Sequence, residues 1–338
     1  MRTSLLSTVV LAGAACLGLG ASAHAGQGQP GSLLVFPTFD NTRGGITLFT
    51  VTNTSDDQVN GTINVEFVYI NGMNCQEFNR TRTLTPDDEI SVLSQFDNPN
   101  MHKGYCYVFA KSHTTGAAIK FDHLIGSELV VNATTGAQSS PIITGDYSLN
   151  AWSFKAGAGL TEGSNTDVNG NGLRDLNNTE YEAAPDRLDV PRFLGEGGPQ
   201  NANAQLALIN LTGGAQFTAV VDFLVYNDNE EVFSAQYSFT CWALVELADI
   251  SSVFTNDFLS TTNHSSTEIF AGPVMFNEAG WFRINGNTAF STAAQFSDPA
   301  ILGAYIESIH VAQGGAILPF GEGTQTNGSL LSHSLLGN

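Results

Sequence analysis

Lysine is nearly missing from this chain. Four occur in 338 residues, at Lys103, Lys111, Lys120 and Lys155, and all basic side chains together number 12 against 32 acidic ones, for a formal charge of −20. Such a surface repels phosphate backbones, which argues against a nucleic-acid partner, and it suits cations and solubility. Charge of either sign is sparse, at 13% of residues, while glycine is abundant at 35. That balance belongs to an extracellular β protein rich in turns rather than to a helical cytosolic enzyme. After the N-terminal segment, no apolar run reaches the ~18 residues of a membrane helix. Catalytic signatures are lacking too: there is no His-Glu-x-x-His helix, no Gly-x-Ser-x-Gly elbow and no phosphate-binding glycine loop. His102, His113, His123, His264, His310 and His333 are scattered, without metal-ligand spacing.

What is present begins with a leader. Arg2 supplies a positive start, Leu5 to Leu19 is an apolar small-residue run, and Ala23-His24-Ala25 fits the cleavage rule. Residues 1–25 are therefore expected to be a signal peptide, with the exported chain starting near Gly26. Gly rather than Leu stands three residues before Cys16, which favours the non-lipid kind of signal. Cys75, Cys106 and Cys241 remain, and an oxidising compartment permits a disulfide.

From Gly31 onward the chain reads as short strands. Ser32–Phe36 is an apolar run ended by Pro37, and Ile46–Thr52 is rich in β formers. In Gly61–Ile70 the residues Ile63, Val65, Phe67 and Tyr69 alternate with Asn64, Glu66 and Val68. Arg80–Leu84, Glu89–Leu93, Tyr105–Ala110 and Ala117–Phe121 continue at strand length. Regular strand spacing with no sustained helical period indicates an all-β fold.

The second half follows the first. Phe49–Asn53 aligns with Leu206–Asn210 and Phe67-Val68-Tyr69 with Leu224-Val225-Tyr226, while Gly104-Tyr105-Cys106-Tyr107 matches Gly280-Trp281-Phe282-Arg283. The reading is two tandem β-sandwich domains, immunoglobulin-like or jelly-roll-like, over 26–135 and 204–325. A loop-rich linker spans 136–203 and a tail spans 326–338. At the duplicated positions Cys75 falls on Val232 and Cys106 on Phe282. Joint replacement by apolar residues points to a Cys75–Cys106 disulfide, contributing ~3 kcal/mol in the chain-entropy model. Cys241 is then a buried free thiol.

Inside the linker, Asp167-Val168-Asn169-Gly170-Asn171-Gly172-Leu173-Arg174-Asp175 carries oxygen side chains at alternate positions, then a glycine, then an acid. Calcium takes six to eight oxygens, and loops of this spacing supply them from positions 1, 3, 5, 7 (a carbonyl) and 9. The candidate ligands are Asp167, Asn169, Asn171, the Leu173 carbonyl and Asp175, with Asn178 or Glu180 closing the site and Gly172 providing a positive φ. The stretch resembles the calcium loops of EF-hands, dockerins and thrombospondin type-3 repeats over about 12 residues. It departs from the EF-hand at position 12, where Asn178 replaces the bidentate glutamate. The expected affinity is modest, on the order of 10⁻⁴–10⁻³ M. More widely, Gly31-Ser32-Leu33-Leu34-Val35-Phe36-Pro37, His123-Leu124-Ile125-Gly126 and Asn227-Asp228-Asn229-Glu230 resemble a group of uncharacterised secreted bacterial proteins. That resemblance implies the compartment, which is the exterior, cell surface or periplasm of a bacterium, and the architecture, and it says nothing of an activity.

Three functional expectations follow. The first is a non-catalytic structural or adhesive protein that meets a cell-surface or matrix polymer, with calcium stiffening the junction of its two domains. The second is a carbohydrate-binding module or glycan-active hydrolase, drawing on Tyr105, Tyr107, Trp152, Trp242 or Trp281 as sugar platforms and on acidic pairs such as Asp87-Asp88 and Glu230-Glu231. Asp122-His123 is the best acid–base pair on offer. The third is self-association through terminal strands, because Gly31-Ser32-Leu33-Leu34 recurs as Gly328-Ser329-Leu330-Leu331.

Overall fold

The computed structural model describes residues 26–42, 45–135, 141–212, 218–263, 277–287, 298–310, 312–313 and 319–330. The expected leader, the His264–Thr267 part of the polar insertion and the end of the chain from Leu331 lie outside the described residues.

In chain order the elements are β1 (Gly26–Gln27), β2 (Leu33–Asp40), β3 (Ile46–Asn53), β4 (Ile63–Asn71), β5 (Glu77–Leu84) and β6 (Glu89–Leu93). The one-turn helix α1 (Ser94–Asp97) leads to β7 (Lys103–Ser112), β8 (Leu124–Thr135), β9 (Pro141–Asn150), β10 (Trp152–Phe154) and β11 (Arg174–Leu176). Then come β12 (Arg187–Leu194), β13 (Ala202–Asn210), β14 (Ala219–Asn227), β15 (Val232–Phe239) and β16 (Trp242–Glu246). The short helices α2 (Leu247–Ile250) and α3 (Asn256–Leu259) precede β17 (Ala279–Gly286), β18 (Ile301–Ile309), β19 (Ala312–Gln313), β20 (Phe320–Glu322) and β21 (Gly328–Leu330). The fold is all-β. Ala117–Phe121, expected as a strand, makes only isolated bridges to Lys111 and Asn165, and the strand proper starts at Leu124.

Four main sheets form. Sheet 1 has the order β1-β10-β2-β7-β4-β5 and sheet 2 the order β6-β3-β8-β9. Sheet 3 runs β16-β13-β18-β19 and sheet 4 runs β15-β14-β17-β12-β20. Adding ten to each label of β2-β7-β4-β5 gives β12-β17-β14-β15, and the same shift converts sheet 2 into sheet 3. The stretch 136–203, expected as a loop-rich linker, thus supplies β9 to sheet 2 and β12 to sheet 4. Polar and glycine-rich composition hid both strands, because β9 lies at a sheet edge and β12 contains a proline.

That proline marks a repeated detail. Both β2 and β12 slip register just after their fourth residue, between Phe36 and Phe39 and between Val190 and Phe193. Pro37 and Pro191 sit in the two irregularities, where a missing N–H costs no ladder bond.

Within sheet 1, β10, β2 and most of β7 are buried on both faces, while the edge strand β5 is largely exposed. Leu34, Phe36, Phe67, Tyr69 and Cys106 pack toward sheet 2. Leu33, Val35, Ile70, Tyr105 and Tyr107 point the other way, into a core shared with sheets 3 and 4. The layers therefore run sheet 2, sheet 1, sheet 3, sheet 4. Two tryptophans pin the central contact. Trp152 Nε1 donates to the Gly303 carbonyl at 2.9 Å and Trp242 Nε1 to the Pro37 carbonyl at 2.9 Å. The six-membered ring of Trp242 lies over Gly72, where an added Cβ would meet Cε3 at 2.3 Å. Gly72→Ala is expected to lower stability by about 1–3 kcal/mol through overpacking. Urea denaturation checks this, and an unchanged midpoint would show that the ring moves freely.

The disulfide also lies in this contact. Cys75 pairs with Cys241, not with Cys106, and Cys106 is a buried free thiol. Cys106 alternates with Tyr105 and Tyr107 on β7, so its sulfur points toward sheet 2 while Cys75 faces sheet 3. Phe282 fills the core position of Cys106, but Val232 is not the counterpart of Cys75: it pairs with Tyr226 as Glu77 pairs with Ile70, while Cys75 lies in the β4–β5 turn.

Candidate functional site

The Asp167 loop folds upon its own side chains. Asp167 Oδ2 accepts from the Gly172 N–H (3.1 Å), Asn169 Oδ1 from Asn171 N–H (2.9 Å) and Asn171 Oδ1 from Leu173 N–H (2.8 Å). Gly170 and Gly172 take φ of 72° and 80°, as the turn requires. Asp175 Oδ2 accepts from Asn169 Nδ2 at 2.7 Å and Asn171 Nδ2 at 3.1 Å, which closes a ring of four oxygen-bearing side chains. Asp167 Oδ1 is buried without a hydrogen-bond partner. A buried, unmatched carboxylate oxygen among amide and carboxylate oxygens is a donor set that fits a hard cation. Among the described residues no three His, Cys, Asp or Glu side chains cluster as a metal group; the loop relies on asparagines and a carbonyl.

The two proposed closing residues stand apart from that ring. Asn178, at φ 66°, turns its Oδ1 to the Ala183 N–H. Glu180 is 1% exposed and lies beneath the loop, where Oε1 accepts from Val168 and Asn169 N–H and Oε2 from Asp175 N–H. Burial pushes its carboxyl above the usual range, against the opposing pull of these amides. Glu180 therefore serves as a staple for the loop backbone.

Sequence reasoning missed the cation already there. Arg174 is buried, donates to the Gly172 carbonyl (2.9 Å), comes within 4.0 Å of Asp167 Oδ2 and lies 4.7 Å over the Phe109 ring of sheet 1. The loop is thereby tied to β7. Its outgoing strand β11 pairs with β21. The described parts of the two terminal Gly-Ser-Leu-Leu copies are thus engaged within the chain, β2 between β10 and β7 and Gly328–Leu330 on β11.

A second constellation sits at the Pro37 bulge. Glu128, on β8, is 1% exposed; its Oε1 accepts from Thr38 Oγ1 at 2.6 Å, and Thr38 Oγ1 shares a 2.9 Å hydrogen bond with Tyr147 OH. Burial pushes the Glu128 carboxyl up to about 8. Thr38 and Tyr147 line a cavity of about 260 Å³ together with Asp40, Lys103 and Gln205. At the Pro191 bulge the layout recurs: Arg192 and the Leu194 N–H meet buried Glu307, which also accepts from Tyr305 OH at 2.8 Å. The findable signal was strand phase, since Glu128 alternates in step with Leu124 and Val130.

The remaining candidates occupy structural places. Asp122 Oδ1 accepts from Ser32 Oγ and Ala156 N–H, while His123 packs on Phe121. Asp88 accepts from Thr85 N–H in a turn, and Glu231 bonds Asn227 and Asn263. Tyr105, Tyr107 and Trp152 are core residues. Trp281 is half-buried on the outer face of sheet 4, stacked on Tyr226 at 4.2 Å and 5°.

No protein-family model matches the chain, and no curated protein matches it. Among solved structures, the crystal structure of Thermotoga maritima 1070 is similar over 40% of this chain and 98% of its own, at 10% identity and a TM-score of 0.27. The top component of cowpea mosaic virus, a naturally occurring empty particle, aligns with 95% of this chain and 99% of its own, at 10% identity and a TM-score of 0.19. Overlaps this loose carry no argument. No helix among the described residues is long and apolar enough to cross a membrane.

Proposed function

We infer that the chain is an exported, non-catalytic surface or extracellular protein of bacterial origin, with a structural or adhesive role. In this reading it is built of two duplicated β-sandwich units. The observation that carries it is the Cys75–Cys241 bond between sheets 1 and 3. A disulfide persists in oxidising compartments, and this one locks two layers whose contact is already apolar. A rigid block suits a spacer or adhesin better than an enzyme that must open and close. The matching strand orders and the two proline bulges support the duplication.

Calcium belongs to this proposal. Asp167, Asn169, Asn171, the Leu173 carbonyl and Asp175 would hold it, and it would neutralise two carboxylates that now have only Arg174 nearby. The ion would stiffen the segment between β10 and β12 rather than take part in chemistry. At ~10 mM calcium, a dissociation constant of about 10⁻⁴–10⁻³ M stabilises by roughly 1.4–2.7 kcal/mol. A rise in melting temperature of a few degrees is expected, reversed by chelator and lost in Asp167→Ala. Calorimetry with and without calcium is the test. Superimposable curves would sink the metal while leaving the disulfide-locked block untouched.

A further inference from the structure

We propose that the outer face of sheet 4 is a binding site for an extended, uncharged glycan, the polymer to which this protein adheres. Naming the partner's chemistry in this way rests on the adhesive reading above. The case starts from a comparison within the molecule. On sheet 1, one row of cross-strand neighbours reads Phe154, Leu33, Phe109, Glu66, Thr81 from β10 to β5. Its apolar part is covered by sheet 3. The corresponding row on sheet 4 reads Glu322, Arg187, Asn285, Asp222, Gln236 from β20 to β15. Every member now carries hydrogen-bonding groups, and no layer among the described residues covers it.

Four of its members, Arg187, Asn285, Asp222 and Gln236, line an open groove of about 840 Å³ that also takes in Arg283 and Leu224. The four strands that line it, β12, β17, β14 and β15, at ~4.8 Å spacing make it about 14 Å long. A line of that length suits a chain of sugar rings better than a single small molecule. The arginines at it are already paired with carboxylates, and Asp222 is held by neutral amides. Arg187 pairs with Glu322, Arg283 Nε with Asp189 at 2.9 Å, and Asp222 accepts from Gln236 (2.7 Å) and Asn287 (2.6 Å). Forks of Arg, Asp, Asn and Gln held planar in this way present alternating donors and acceptors. That is the complement of vicinal hydroxyls, and it disfavours a phosphate or sulfate, which would need unpaired arginines. Tyr226 and Trp281 stack on each other, and Arg283 lies 5.6 Å over the Trp281 ring. The pair lies outside the groove's lining, so it is not a stacking platform for a chain bound there.

Isothermal titration of the full mature protein with cellohexaose, xylohexaose, mannohexaose and chitohexaose tests the proposal, with a heparin hexasaccharide as the charged arm. Saturable binding of at least one neutral hexasaccharide is expected. Asp222→Ala and Gln236→Ala should each weaken it by about tenfold or more, and Thr50→Ala on sheet 2 should leave it unchanged. Asp222→Asn, which keeps the shape, guards against misfolding and should weaken binding as well. Binding of none of the neutral probes, binding of heparin alone, or equal binding by the Asp222 and Gln236 variants would overturn the groove. New reducing ends during a titration whose binding is still lost in Asp222→Ala would support the groove while sinking the non-catalytic reading.

Discussion

Replacing Cys75 and Cys241 together by alanine is expected to cost the protein more stability than any other pair of small substitutions. The bond closes a loop of 166 residues in sequence. In the chain-entropy model a loop of that size constrains the unfolded chain by about 5 kcal/mol, at the upper end of what disulfides contribute. For a chain of this length that is a fall in melting temperature of roughly 5–10 °C. The folded side adds to the loss. Cys75 and Cys241 are 2% exposed each, between Trp242, Asn71 and the apolar face of sheet 1. Scanning calorimetry of the double variant, and of the parent with reductant, should give the same lowered transition. Cys106→Ala is the contrast: it removes one buried sulfur next to Phe36 and Tyr69 and leaves the covalent link, so its cost should stay near 1–2 kcal/mol. If Cys106→Ala were the more damaging change, or a proteolytic map joined Cys75 to Cys106, the packing of sheets 1 and 3 would have to be redrawn.

That cross-link also shows where reading a sequence stops. Strand period fixes which face a residue takes, and the face of Cys106 was open to that reasoning from Tyr105 and Tyr107 beside it. Which other layer covers a face is a long-range fact. Even so, one trace of it was available. Strands buried on both sides read as unbroken apolar runs rather than alternations, and Leu33-Leu34-Val35-Phe36 is such a run, as is Tyr105 to Ala110. By contrast Val221, Phe223 and Val225 alternate in burial with Asp222, Leu224 and Tyr226, an alternation that Leu224 blurs in the sequence, and the described residues leave the outer face of sheet 4 open. The Asp167 loop was legible because its hydrogen bonds are local and its glycines need positive φ. Asn178 and Glu180 were not, because their partners, Ala183 N–H and the underside of the loop, depend on how the next turn folds back. In the same way Arg174 gave no signal of lying over Phe109, some 65 positions earlier in the chain.

Glu128→Gln is expected to change how stability depends on pH, and the direction follows from burial. In the unfolded chain this carboxyl titrates near its ordinary 4.5; in the fold it is pushed up to about 8, because ionising it would place a charge in the core. The hydrogen bonds from Thr38 oppose that shift and do not overcome it. Asp40 and Lys103 face the adjoining cavity as an ion pair at 2.9 Å and leave no cation for Glu128. Between pH 4.5 and 8 the folded state therefore holds one more proton than the unfolded state. The stability linked to Glu128 is fully present below about 4.5, falls as pH rises through that window and is gone above about 8. The shift sets a scale on the order of 3–5 kcal/mol at most. Glutamine keeps an oxygen for Thr38 Oγ1 and cannot ionise. The variant should match the parent within about 1 kcal/mol at pH 4.5 and exceed it by a few kcal/mol at pH 9, its urea midpoint nearly flat across the range where the parent's declines. Parallel pH profiles for the two proteins would mean that water reaches Glu128 and that the Pro37 bulge is looser than its packing indicates. Glu307, at the matching bulge, is held by Arg192 instead of a threonine. Its glutamine variant should lose stability at neutral pH, since it removes one partner of an ion pair rather than a buried acid that resists ionisation.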